Sequence, residues 1–302
     1  MYCLVDASNV VNIAYSVFVR LEQKNNGPDY VVKEGDLGFF WHLFMHDVKD
    51  YFTSYSDLVF CFEGMNSTAW RKSVYPLYKA NRAARKEDPN YALLPKVYGQ
   101  VEEMLSLFHC KTMRVENCEA DDDIFALSEH LSKAGEQVMI VSSDKDLVQI
   151  MNYFDGVHVY SPIKKMNQMK DENILLEKAI CGDSSDNIAG VHGIGPKTLE
   201  KMLADKAVWA KKMTPENIDT YESILKIVDL RKFPKEYHDN IIDIFEKKQY
   251  NEFDKEAVEA FYMKYGLLQC QNEWSELSGN IEMMLNGNSE RSAEQELEEL
   301  LK

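Results

Sequence analysis

Long apolar runs are missing from this chain of 302 residues. No stretch approaches the roughly 20 consecutive apolar residues that a membrane-spanning helix needs. The first nine residues, MYCLVDASN, also lack the basic and apolar segments of a secretory signal. We therefore expect an intracellular, cytoplasmic protein with no membrane partner.

Paired cysteines are missing as well. None of the six cysteines forms a C-x-x-C motif, and no group of histidines and cysteines has the spacing of a zinc site. These patterns exclude a disulfide framework and a structural zinc ion. We predict reduced thiols in the core at Cys3, Cys61, Cys110, Cys118, Cys181 and Cys270.

Basic residues are scarce relative to acids: 34 against 50, for a formal net charge of −16. This balance argues against a nucleic-acid partner, because phosphates require a basic surface. The charge is uneven, however. Residues 70–86, WRKSVYPLYKANRAARK, carry six basic residues and no acid, whereas residues 289–302 are strongly acidic. Local charge outweighs the total because salt screens interactions beyond ~10 Å.

Strand and helix patterns alternate over the first half of the chain. Short apolar runs predict strands at 2–6, 57–64, 110–115, 137–147 and 157–162, and helical spacing recurs at 36–52, 95–108, 120–134 and 145–152. This alternation predicts an α/β fold, with a central, mostly parallel sheet flanked by helices. Beyond residue 205 the chain is helical and charged.

Carboxylates follow these strands where each one ends. Asp6, Glu63 and Asp144 close three predicted strands, and the stretch CEADDDI follows another. Because the carboxyl ends of parallel strands meet at one edge of a sheet, we expect these acids to converge. The alternative is an acid-rich, solvated helix start.

Converging carboxylates favour hard divalent cations such as Mg²⁺ or Mn²⁺. The set is too large for one ion and suits two, held ~4 Å apart, in the manner of enzymes that displace groups at phosphorus. We leave out Asp123 and predict it to be an exposed acid, because three consecutive residues at a helix start cannot all face one way. The set is Asp6, Glu63, Glu119, Asp121, Asp122, Asp144, Asp146, Asp183 and Asp186.

The stretch GVHGIGPKTLEKML (190–203) has the pattern of a helix–hairpin–helix. Gly193 and Gly195 permit a tight turn, and Pro196 suits the first position of a helix. The N-terminus of that helix is a ready phosphate site, with Lys197 beside it. Glycine–proline turns are common, so the pattern gains weight from following Asp183 and Asp186 directly.

The basic segment 70–86 also contains Trp70, Tyr75 and Tyr78. Aromatic faces can stack on bases while the cations follow a phosphate backbone, so we favour a single-strand-binding element. The competing interpretation is a solvated basic helix that packs its tyrosines on the core.

In order along the chain, these motifs resemble the flap endonuclease-like 5′-nucleases, and most closely the phage enzymes called ribonuclease H. The resemblance is carried by LVDASN, FEGMNSTAWRKSVYPLYKANR, CEADDDI, IVSSDKDL and GDSSDNIAGVHGIGPKTL, over about residues 1–205. It implies a Mg²⁺-dependent 5′-3′ exonuclease and flap endonuclease that removes RNA primers during DNA replication. The departure is Glu63, where the family usually has aspartate.

The resemblance also implies roles for individual residues. Asp6, Glu63, Glu119 and Asp121 would hold one metal, with Asp122 close by, and Asp144, Asp146, Asp183 and Asp186 the other. Lys79 and Arg82 match the family's YK..R motif, where a cation contacts the scissile phosphate. Arg71 and Lys72 would guide the 5′ strand, and residues 190–201 would grip the duplex, where the family often binds a monovalent cation such as K⁺. The implied DNA-contacting set is Arg71, Lys72, Tyr75, Tyr78, Arg85, Lys86, Gly193, Gly195, Lys197 and Thr198.

The implied organisation is a nuclease domain at 1–180 with a basic arch at 66–95, a helical DNA-binding region at 181–285, and an acidic tail at 286–302. The implied partners are DNA and RNA–DNA hybrids with a 5′ end or flap. A single-stranded-DNA-binding protein or a sliding clamp is a further candidate partner. We expect the protein to be a monomer, in the host cytoplasm if a phage encodes the protein.

Three other functions are weighed against this one. A catalytically silent DNA-junction binder would have lost carboxylates, yet every expected position carries one. A PIN-type ribonuclease would lack the basic arch and the helix–hairpin–helix. A phosphatase of the haloacid dehalogenase type needs a second acid two residues after the first, but Ala7 and Ser8 follow Asp6.

Overall fold

A computed structural model describes residues 1–83, 87–267 and 271–285. Six strands form one sheet: β1 Tyr2–Asp6, β2 Asp57–Cys61, β3 Lys111–Met113, β4 Val138–Val141, β5 Val157–Ser161 and β6 Met166–Asn167. Their order is β3-β2-β1-β4-β5-β6, and every pairing is parallel except that of β5 with β6. The predicted α/β class is confirmed.

Helices surround and extend this sheet. They are α1 Ala7–Asn26, α2 Leu37–Val48, α3 Tyr51–Ser54, α4 Ala69–Val74, α5 Leu94–Leu105, α6 Ala120–Lys133, α7 Ile174–Cys181, α8 Pro196–Ala204, α9 Lys206–Lys212, α10 Pro215–Val228, α11 Lys235–Lys247, α12 Lys255–Lys264 and α13 Gln271–Leu285. Single 3₁₀ turns cover Glu34–Asp36, Ala80–Arg82, Pro89–Tyr91 and Leu230–Lys232, and a longer 3₁₀ helix covers Lys145–Asn152. None of the described helices combines the length and apolar character needed to cross a membrane.

Both faces of the sheet are buried. Along β1, Cys3 and Val5 join the core formed with α1, α2 and α5, whereas Leu4 joins the core formed with α6 and α11. Strands buried on both faces read as continuous apolar runs, which is why the sequence marked them clearly. The first core also takes in residues of α12 and α13, so the C-terminal helices pack on the sheet domain.

The structure contains two elements that the sequence patterns do not predict, α1 and β6, and it divides one predicted helix in two. The long helix α1 was not predicted, although Val10, Ala14 and Phe18 give it a buried face directly after β1. The pattern at 36–52 divides into α2 and α3, because the chain turns at residues 49–50. The antiparallel strand β6 is only two residues long and has no sequence signal.

The described cysteines are free thiols. Cys3, Cys61, Cys110 and Cys118 are buried, and Cys181 is partly buried. Cys270, the basic residues Arg85 and Lys86, and the acidic tail 286–302 lie outside the described residues.

Candidate functional site

Asp6 ties β1 to the segment after β4. Its carboxylate accepts a hydrogen bond from the Asn9 amide at 2.8 Å and so caps the N-terminus of α1. The Ser142 hydroxyl donates to its other oxygen at 2.9 Å, and the same hydroxyl accepts from the Asp144 amide at 3.0 Å. Burial is the main reason that the pKa of Asp6 rises to about 6, and the nearby charge of Asp144 adds to it.

Glu63 follows β2 and is held through its backbone. Its amide donates to Ser8 Oγ at 3.1 Å, and its carbonyl accepts from Arg114 at 2.5 Å. The next residue has to be glycine, because a Cβ on Gly64 would lie 1.7 Å from the carbonyl oxygen of Val115. Burial, then the charge of Glu119, raises the pKa of Glu63 to about 7. Its buried Oε2 has no hydrogen-bond partner.

Glu119 begins α6 and is surrounded by donors. Arg71 approaches its carboxylate at 2.8 Å, the Lys79 ammonium at 2.5 Å and the Tyr78 hydroxyl at 2.9 Å. Burial opposes ionisation, but the charges of Arg71 and Lys79 outweigh it and lower the pKa of Glu119 to about 2. Glu119 is therefore fully ionised at neutral pH.

Asp121 connects this first group of acids to the next. Burial, followed by the charges of Asp144 and Asp6, raises its pKa well above the ordinary value. A carboxylate destabilised by its neighbours in this way gains from a nearby cation. The first group comprises Asp6, Glu63, Glu119 and Asp121.

Asp122 points elsewhere. Its two oxygens accept a bidentate pair of hydrogen bonds from Arg71, at 2.8 and 2.6 Å, and it closes a capping box with the Glu119 amide at 2.9 Å. Arg71 is 2% exposed. The Arg71 guanidinium is therefore engaged inside the protein, and the expected role of Arg71 in guiding a 5′ strand stays a prediction that would require this ion pair to open. Asp122 is also expected to lie close to a metal, but both of its oxygens already accept hydrogen bonds from Arg71.

Asp123 is also corrected. It was predicted to be exposed, yet its side chain is fully buried and neither of its oxygens has a hydrogen-bond partner. Burial, then the charges of Asp122 and Glu63, raises its pKa well above the ordinary value. Asp122 and Asp123 are both buried and Asp121 is partly buried, so the sequence argument from helical facing did not apply.

The second group of acids lies on the 3₁₀ helix and on the loop after α7. Asp144 caps that 3₁₀ helix by accepting from the Asp146 amide at 2.9 Å. One oxygen from each of Asp146, Asp183 and Asp186 lies within 4.8 Å of the others, a spacing that can hold a metal ion. Lys178 donates hydrogen bonds to Asp146 and, at 2.8 Å, to Asp186, and forms an ion pair with Asp183 at 2.9 Å.

These contacts set the ionisation of the second group. Burial, then the charge of Asp144, raises the pKa of Asp146 to about 6, although Lys178 opposes the rise. Burial raises the pKa of Asp183. The charge of Lys178 and the hydrogen bonds from Ser185 lower it by more, so the pKa falls to about 2.

The basic segment closes over both groups. Lys79 takes the left-handed conformation, with φ +53°, and its amide donates to the Asp186 carbonyl at 2.8 Å. Arg82 reaches the Asp186 carboxylate at 3.1 Å. A lysine in this sparsely populated conformation is held there by its surroundings, which aim its ammonium at Glu119.

The aromatic residues of this segment face the core. Trp70 and Tyr78 are buried, as the competing interpretation expects, so stacking of Tyr78 on bases stays a prediction that would require the ring to be uncovered. Tyr75 is partly buried and packs against the hydrophobic cluster that contains Tyr78. Lys72 is exposed.

The helix–hairpin–helix pattern at 190–203 covers the turn before α8 and most of α8, and α7 precedes it along the chain. Gly193 has φ +72°, which glycine adopts without strain, and Gly195 caps α8 with Pro196 at the first helical position. Lys197 is exposed beside this terminus, and Thr198 is partly buried. A cavity of about 640 Å³ separates α8 from the 3₁₀ helix and is lined by Asp144, Asp146, Lys178 and Asp183 among others.

Sequence reasoning missed the residues that position these acids. Ser142 and Ser8 hold Asp6 and Glu63, and Lys178 joins three carboxylates. A lone lysine in the apolar run ILLEKAIC, five residues before Asp183, was the available signal for Lys178. The serines carried none.

The sequence of this chain is similar to those of several known proteins. Residues 1–179 match the family model "5'-3' exonuclease, N-terminal resolvase-like domain". DNA polymerase I of Rhizobium leguminosarum is 30% identical over 249 residues, which are 77% of this chain and 24% of that protein. Ribonuclease H of Enterobacteria phage T4 is 22% identical, over 91% of this chain and 95% of that protein.

A solved structure shares the fold. T5 5′-exonuclease, in a structure with bound zinc ions, has a TM-score of 0.55 and 21% identity, covering 81% of this chain and 98% of that one. The matched part of this chain corresponds to only 17% to 24% of the length of three DNA polymerase I proteins, the one from Rhizobium leguminosarum among them.

Proposed function

The chain belongs to the family of 5′-3′ exonuclease N-terminal, resolvase-like domains, and from this premise we propose that it is a divalent-metal-dependent 5′-nuclease. Its substrates would be DNA and RNA–DNA hybrids with a 5′ end or flap, and its products would carry 5′-phosphates. The observation that carries the proposal is the pair of acidic groups, one after β1, β2 and β3 and the other after β4 and α7, with Lys79 in contact with both.

The donor set fits two hard divalent cations, Mg²⁺ or Mn²⁺. All candidate ligands are carboxylates, and the orphaned Oε2 of Glu63 is an oxygen that a cation would satisfy. Asp6, Glu63, Glu119 and Asp121 would hold the first, and Asp144, Asp146, Asp183 and Asp186 the second. Such a pair lowers the pKa of a water and neutralises charge on the phosphate. Asp122 and Asp123 have no part in this assignment.

The basic residues act on the substrate itself. Lys79 and Arg82 would bind the scissile phosphate, since both already lie against the acids that would surround it. The N-terminus of α8, with Gly193, Gly195, Lys197 and Thr198, would bind phosphates of the duplex. Lys72, Arg85 and Lys86 would attract the 5′ strand. These contacts read the backbone and predict little sequence preference.

The remaining assignments are part of the proposal. The nuclease domain would end near residue 180, and the helical region 181–285 would bind duplex, with K⁺ at residues 190–201. The protein would act as a monomer. It would contact a single-stranded-DNA-binding protein or a sliding clamp during replication.

The first test is cleavage of a 5′-labelled DNA flap and a matched RNA–DNA hybrid, with Mg²⁺ and with EDTA. We expect short 5′ products only with metal, and their lengths will separate exonuclease from flap cutting. Tight binding without cleavage in Mg²⁺ or Mn²⁺ would overturn the proposal in favour of a silent junction binder.

Replacing Lys79 by methionine should lower the single-turnover cleavage rate by on the order of a hundredfold, because the ammonium would stabilise charge on the phosphate. The dissociation constant for the flap should change little. Lys72→Met is the matched control, since Lys72 is exposed and should affect affinity alone. A pure loss of affinity in Lys79→Met would reduce this residue to a phosphate anchor.

A further inference from the structure

Lys178 lies at the centre of the second acidic group. Its ammonium is 2.9 Å from Asp183 and 2.8 Å from Asp186, and it also contacts Asp146. These are the same three carboxylates whose oxygens have the spacing of a metal site. The ammonium thus stands where a cation bound by these oxygens would stand.

The lysine is well buried and strongly held. Only 8% of its surface is exposed, and it projects from α7, a helix that packs against α8 and α10. Although burial opposes it, the charges of Asp146 and Asp186 raise the pKa of Lys178 well above the ordinary value. Without this charge, three carboxylates would repel one another in a partly water-free site.

A divalent ion and this ammonium cannot share the position. Mg²⁺ binds oxygens at about 2.0–2.1 Å, so an ion held by two of these carboxylates would lie against the ammonium and be repelled by it. The side chain has somewhere to go, because lysine is a flexible four-carbon chain and the cavity of about 640 Å³ opens beside it.

We propose that Lys178 is an internal counter-cation, which holds Asp146, Asp183 and Asp186 together in the metal-free protein and is displaced when a divalent ion binds there. The inference rests on the proposed function, since it concerns the second of the two metal positions. It makes Lys178 a positioning residue whose charge weakens divalent-ion binding at this position.

The wild-type protein tests the displacement directly, without substrate. We would pulse the protein with an amine-acetylating ester in EDTA and in saturating Mg²⁺, and measure acetylation of each lysine by mass spectrometry. Lys178 should react at least about fivefold faster with Mg²⁺, because its three partners release it. The exposed Lys24 on α1 is the internal control. Equal reactivity of Lys178 in both conditions would overturn the proposal.

A variant tests the competition. Lys178→Met shortens the side chain by only one atom and removes its charge, so one class of Mn²⁺ site, followed by electron paramagnetic resonance, should tighten by about tenfold or more. Lys145→Met is the matched control, because Lys145 is exposed and lines the same cavity. A structural ion pair alone predicts unchanged or weaker Mn²⁺ binding in Lys178→Met, and that result would overturn the inference.

Failure of the proposed function would look different. If the wild-type protein cleaves neither flap nor hybrid, yet shows Mg²⁺-dependent release of Lys178, the role of Lys178 as counter-cation stands and the proposed nuclease activity is wrong. Cleavage by a protein whose Lys178 stays protected in Mg²⁺ would do the reverse.

Discussion

Replacing Asp144 by asparagine should reduce the single-turnover cleavage rate by on the order of a thousandfold, about 4 kcal/mol of barrier. The change removes one negative charge and almost no volume. Asp144 belongs to the second acidic group, and its charge also raises the pKa values of Asp6, Asp121 and Asp146. The residue therefore acts on both candidate metal positions.

The fold should survive this substitution. Asparagine keeps an acceptor for the 2.9 Å hydrogen bond from the Asp146 amide, so the cap of the 3₁₀ helix is preserved. Flap binding, measured in Ca²⁺, should stay within a few-fold of wild type. Asp155→Asn is the control, because Asp155 is exposed and precedes β5 at the opposite edge of the sheet. Retained turnover in Asp144→Asn would remove this group from the catalytic assignment.

The fold was predictable because its strands are buried on both faces. Runs such as YCLVD and VMIV stand out as apolar segments, and the parallel order then places their carboxyl ends at one edge. That argument needs no side-chain detail. It fails for β6, which is two residues long, and it overlooked α1, whose buried face lies among polar residues such as Ser8 and Asn12.

The environment of each acid was not predictable in the same way. Glu119, Asp122 and Asp123 are near neighbours in sequence, yet their surroundings differ. Glu119 is ionised by two cations, Asp122 is paired with Arg71, and Asp123 is buried without a partner. These differences depend on what packs against the first turn of α6 from distant parts of the chain, and sequence spacing holds no record of it.

Internal cations explain how so many acids are accommodated without metal. Arg71 pairs with Glu119 and Asp122, Lys79 with Glu119, and Lys178 with the second group. Two of the three cations come from the basic segment, which sequence reasoning assigned to nucleic acid. Part of that segment's charge therefore neutralises the site itself. The exposed Lys72 and Arg82 are free to meet a substrate directly, whereas Lys79 would have to exchange Glu119 for the phosphate.

Arg71 provides the sharpest test of this division. Replacing it by methionine should lower the free energy of unfolding by about 3–5 kcal/mol, because Asp122 would remain as a buried charge without its cation and Glu119 would lose one of its two cations. Urea unfolding in EDTA measures the change without interference from bound metal. Lys72→Met, an exposed neighbour on the same helix, should stay within about 0.5 kcal/mol of wild type.

The cause can be isolated by a double-mutant cycle. Adding Asp122→Asn to Arg71→Met removes the stranded charge of Asp122, so part of the lost stability, about 1–2 kcal/mol, should return. Asp122→Asn alone should destabilise the protein, since Arg71 would lose its bidentate partner. If Arg71→Met instead left stability unchanged and weakened flap binding, the guanidinium would contact a nucleic-acid strand after all, and the ion pair with Asp122 would have to open in the complex.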